Sequence, residues 1–61
     1  METFADKIIV YRAKHRLTQK QFADLCGISI QTVNNIENEI VEPTKTTVAK
    51  IMLVIGNQET E

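Results

Sequence analysis

Thr18-Gln-Lys-Gln-Phe-Ala-Asp-Leu-Cys-Gly-Ile-Ser-Ile-Gln-Thr-Val-Asn-Asn-Ile-Glu-Asn38 is the stretch that decides the fold. Thr18 followed three residues later by Gln21 is a capping box, so a helix starts there. Gly27 supplies the positive φ that ends it after Cys26. Ser29 then caps a further helix that runs to Asn38. Two short helices meet at a tight turn, and the second carries its amide side chains outward.

The apolar residues that set the packing of this stretch fall at Phe22, Ala23, Cys26, Ile28, Val33 and Ile36. Two crossing helices joined by a turn of three to four residues require that pattern. Ala23 must be small because the following helix crosses there. Ile28, Val33 and Ile36 bury that helix against the rest of the domain. A small residue and a glycine alone would be weak signals. Here they coincide with caps at both helix starts, so the pattern is specific.

Working outward, Thr3 caps a first helix to about His15, with Asp6 in its first turn and Ile8, Tyr11 and Phe4 as its buried stripe. Pro43 and Thr44 open a fourth helix, Thr44 to about Ile55, closed by Gly56. Its apolar stripe is Val48, Ile51, Met52 and Ile55. No alternating β-branched run supports a strand. The expected domain spans residues 1–56, with residues 57–61 a flexible polar tail.

Composition narrows the class. A chain of 61 residues is one small domain. Its single cysteine excludes an internal disulfide and suits a reducing compartment, and one Cys with one His leaves no zinc site. No apolar run approaches membrane-spanning length and no signal peptide is recognisable, so a cytoplasmic protein without membrane partners is expected. Net charge is −1, mildly against a nucleic-acid binder. Setting aside Glu2, Glu59 and Glu61 near the termini, seven basic residues stand against five acidic, which softens the objection. No nucleophile–base pair, metal cluster or phosphate-binding glycine loop is present, so neither an enzyme nor a cofactor is expected.

From about Ile8 to Gly56 the chain resembles the Xre/Cro-type helix-turn-helix family of phage and bacterial repressors. Leu17-Thr18-Gln19 opens the motif as that family does, Ile36-Glu37-Asn38 closes it, and Pro43-Thr44 begins the next helix at the family's distance. The resemblance implies an all-α, lambda-repressor-like domain of four helices, without the fifth helix that usually follows. It also implies a non-enzymatic transcriptional regulator, a repressor of prophage, mobile-element or bacterial origin, binding double-stranded operator DNA as a homodimer with the second motif helix in the major groove.

Carried over by position, Ile30, Gln31, Thr32 and Asn35 would face base edges. Gln19, Lys20, Ser29, Asn38 and Arg16 would meet phosphates, and Gln19 would also brace the reading helix. Arg12 and Glu37 match a pair that bridges the first and third helices. Side-chain chemistry agrees independently: Gln and Asn pair bidentately with adenine, while Ile30 and the Thr32 methyl suit a thymine methyl. Lys14, Arg16 and Lys20 read either as a phosphate-facing patch or as ordinary solvated surface. Cys26 reads as a packed small hydrophobe, His15 as a solvated residue at a helix end, and Asn34 as pointing to solvent or backbone.

Two departures from the family bear on function. After Asn38 a glycine and then basic residues are usual, whereas here Glu39-Ile40-Val41-Glu42 follow. Two carboxylates in place of a cationic clamp weaken DNA binding at physiological salt. Asn38 can adopt the left-handed conformation, so the missing glycine need not break the fold. Ile9, Val10, Leu53 and Val54 also widen the apolar surface, either for self-association or a partner, or because a small core recruits them. The alternative function is therefore a protein-interaction module on the same fold, an antirepressor or antitoxin-like partner binding through Glu39–Glu42.

Overall fold

The structure is a computed structural model that describes the backbone of residues 3–59 and the side chains as far as Gly56. Four helices follow one another: α1 (Phe4–His15), α2 (Gln19–Cys26), α3 (Ile30–Glu37) and α4 (Lys45–Glu59). Thr3, Thr18, Ser29 and Thr44 each stand before a helix and accept a hydrogen bond from the backbone N–H three residues on, at 3.1–3.2 Å. Each cap satisfies a donor that has no partner inside its helix. Asp6 and Gln21 return the bond to the backbone N–H of Thr3 and Thr18, so α1 and α2 both start in full capping boxes.

The first three helices end alike. A left-handed residue follows each end, directly after α1 and α2 (Arg16 at φ 55°, Gly27 at φ 73°) and one position later after α3 (Glu39 at φ 57°). The next backbone N–H reaches back five residues, Leu17 to Arg12 at 2.9 Å, Ile28 to Ala23 at 3.0 Å and Ile40 to Asn35 at 2.9 Å. This is the Schellman arrangement, which seats an apolar residue just beyond the turn.

Asn38 does not use its left-handed option: it sits at φ −91° and ψ 2°. Its backbone N–H and its side-chain amide are both tied to the carbonyl of Asn34, so the left-handed turn falls on Glu39. Gly56 does not close α4, which continues to Glu59. Asn57 follows it, and a polar residue gives a left-handed stop no apolar contact to secure it. Residues 60–61 of the expected tail lie outside the described residues.

All four helices supply the core: Ile8 from α1, Phe22, Ala23 and Cys26 from α2, Val33 and Ile36 from α3, Ile51 and Ile55 from α4. Phe22, Ile8, Ile51, Ile55 and Val33 are fully buried, each worth roughly 1.5–3 kcal/mol in area removed from water. Tyr11, Phe4, Leu17 and Ile28 pack around them half-buried, and so does Val54, which the core therefore recruits. Ala5, outside the expected stripe, is buried as well. Ile9, Val10 and Leu53 stay exposed. Among the described residues no helix is long and apolar enough to cross a membrane.

Candidate nucleic-acid interface

α3 presents its first turn and one flank to solvent. Val33 and Ile36 are buried beneath it, which leaves Ile30 and Gln31 exposed and Thr32 and Asn35 half-exposed. Gln31 Nε2 donates to Asn35 Oδ1 at 3.0 Å. These residues are one turn apart, so their amides form a single plate on one face. The bond leaves Gln31 Oε1, the second Gln31 N–H and the Asn35 NH₂ for an outside partner. The Ser29 and Thr32 hydroxyls lie 2.8 Å apart and hold the first turn.

The inner side of α3 is held by a polar network. Arg12 Nη1 donates to both oxygens of Glu37, at 2.9 and 3.1 Å, joining α1 to α3. The Glu37 side chain is only 8% exposed and that of Arg12 23%. Gln19 Nε2, from the first turn of α2, donates to Glu37 Oε1 at 3.0 Å and lies 3.5 Å from Asn34 Oδ1. Asn38 Nδ2 donates to the same Asn34 oxygen at 3.0 Å. Three helices therefore converge on the end of α3 opposite its exposed first turn.

Asn34 corrects the sequence reading, which pointed it to solvent or backbone: it is half-buried and accepts from two helix ends. Its i,i+4 spacing to Asn38 was the available signal, but two amides at that spacing also suit an exposed face.

The side chains assigned to phosphate lie around α3 in different states. Lys20 Nζ pairs with Asp24 at 3.4 Å, with both side chains about two-thirds exposed or more. Such a pair is weak and exchanges readily for a phosphate. Arg16 is exposed at the left-handed turn between α1 and α2. The amide donors of Gln19 and Asn38 are turned inward to the network, so either must release a bond to reach a phosphate. Ser29 keeps its hydroxyl on Thr32. His15 is exposed, its ring 4.3 Å from that of Tyr11.

The acidic loop is the interface's neighbour. A hollow beside α3 is walled by Thr32 and Asn35 on one side and by Val41, Glu42, Thr44 and Thr47 on the other. Base-facing positions and a carboxylate thus share one concavity. Burial pushes the Cys26 thiol up to about 11, as befits a packed group rather than a reactive one. Among the described residues no group of His, Cys, Asp or Glu could hold a metal ion.

No curated protein and no solved structure matches the chain. The family model described as helix-turn-helix matches residues 8–61, nearly the whole sequence. The chain belongs to this helix-turn-helix family, of the Xre/Cro type, and is a sequence-specific DNA-binding transcriptional regulator rather than an enzyme.

Proposed function

We propose that the domain is a repressor that binds operator DNA as a homodimer in the cytoplasm, with α3 in the major groove. Ile30, Gln31, Thr32 and Asn35 read base edges, while Lys20, Arg16, Ser29, Gln19 and Asn38 follow the phosphates. One observation carries this reading: an exposed Gln31–Asn35 amide plate on a helix braced from behind by Arg12, Gln19 and Glu37. Such a plate matches the N6 and N7 groups of adenine, and the brace fixes its angle to the groove.

Selection of bound sequences from a random DNA pool at moderate salt tests the reading. Two related half-sites about one helical turn apart, ~34 Å, are expected for a dimer. On the selected site Gln31→Ala should cost about 1–3 kcal/mol and relax one base position, whereas Lys20→Ala should weaken all sequences alike. Equal losses for Gln31→Ala on selected and random DNA would count against the assignment.

A further inference from the structure

We propose that the hollow between the first turn of α1 and the α3–α4 loop docks a basic, apolar segment of a partner protein, and that docking strengthens DNA binding. The cavity measures about 730 Å³ and is lined by Phe4, Ala5, Ile36, Val41, Pro43 and Val48. Apolar lining of this extent accommodates one or two large side chains.

The loop beside it departs from the rest of the fold. At the ends of α1 and α2 the apolar residue after the left-handed turn, Leu17 or Ile28, packs against the core. At the end of α3 the equivalent Ile40 is 66% exposed, and the adjoining Val41 is 54% exposed. The turn that presents them is held by Glu39 at φ 57°, a conformation unfavourable for any residue with a Cβ. Two apolar side chains are thus held out over an apolar hollow.

Charge selects the occupant. Among the described residues, Glu39 and Glu42 line the same hollow, no Lys or Arg does, and neither carboxylate is paired with a cation. A partner offering apolar side chains flanked by Lys or Arg complements both features; an acidic or uncharged segment complements one at most.

The effect on DNA binding rests on the proposed placement of α3 in the major groove. Val41, Glu42 and Pro43 wall both this hollow and the one holding Thr32 and Asn35. With α3 on DNA, Glu42, which shares a wall with Thr32 and Asn35, then lies beside the phosphates with Glu39 in the same loop, and their charge repels the backbone. A basic segment that covers them removes the repulsion and adds its own cations.

Titrating the full chain with a short amphipathic helical peptide of leucine and lysine, followed by amide NMR shifts, tests the docking. The controls replace lysine by glutamate, or leucine by serine. Saturable shifts centred on Phe4, Ile36, Val41 and Val48 are expected with the leucine–lysine peptide alone. Glu39→Gln with Glu42→Gln should weaken that binding about fivefold. No saturation, equal binding by either control, or shifts elsewhere would overturn docking; so would shifts of these same residues with protein concentration alone, which would place a second copy in the hollow.

For the coupling, the same double variant should bind DNA about tenfold more tightly at low salt without peptide. The peptide should tighten DNA binding by the wild type more than by the variant, because only the wild type also loses a repulsion; an equal gain in both would overturn the coupling. A chain that docks the peptide but binds no DNA sinks the operator reading and leaves the groove standing. A chain that binds DNA but not the peptide sinks the groove alone.

Discussion

At the residue scale, Glu37 decides how α3 is held. Its carboxylate is nearly buried and takes bonds from Arg12 and Gln19, so removing either donor leaves charge under-compensated. Arg12→Ala should therefore destabilise folding by about 2–4 kcal/mol, below the full cost of a sealed pair because Arg12 retains contact with water. Thermal unfolding checks this, and an unchanged melting temperature would refute it. Base preference should move less than stability, because Arg12 lies behind α3 and away from the amide plate. Cys26 makes the second residue-scale prediction. A thiol pushed up from 9.0 to about 11 binds its proton more tightly when folded. That contribution is fully present below pH 9 and is lost as pH rises towards 11. Stability of the wild type should fall across this window more steeply than that of Cys26→Ala; parallel slopes would contradict the burial account.

At the element scale, the helix ends carry the interest. The starts were legible because Thr3, Thr18, Ser29 and Thr44 are caps by their own chemistry. The stops were legible only where glycine marked one and an apolar residue followed. Gly27-Ile28 satisfies both conditions, whereas Gly56-Asn57 satisfies one, and α4 continues through it. Arg16 and Glu39 take the left-handed position without any propensity for it: the returning backbone bonds favour both turns, and Leu17 packing on the core favours the first. Glu39→Gly should therefore stabilise the domain by roughly 0.5–1 kcal/mol, and Gly27→Ala should destabilise it by about the same. The added Cβ at Gly27 meets nothing within 4 Å, so that loss is conformational alone. Glu39→Gln separates charge from strain: in chemical denaturation, a gain equal to that of the glycine variant would remove the strain argument.

At the scale of the whole molecule, size and surface constrain assembly. The described domain measures 30 × 23 × 21 Å, so copies placed on half-sites ~34 Å apart sit side by side on one face of the duplex. Exposed Ile9 and Val10 on α1 and Leu53 on α4 offer apolar surface for that contact. Sedimentation at micromolar concentration, with and without operator, should show a dimer, and Leu53→Lys should shift it towards monomer. Monomer alone under both conditions would remove the dimer from the proposal.

The sequence by itself determined the four helices, their caps, the crossing at Ala23 and most of the core, because these follow from local chemistry and periodicity. It also carried the candidate readers, since residues on the exposed first turn of a motif helix are set by their spacing from Val33 and Ile36. Tertiary structure alone decided the rest. That Asn34 joins Gln19 and Asn38, that Val54 is recruited while Leu53 is not, and that Ile40 stands off the core all depend on how the helices cross. Contacts between residues far apart in the chain are set by packing, and no local preference encodes them.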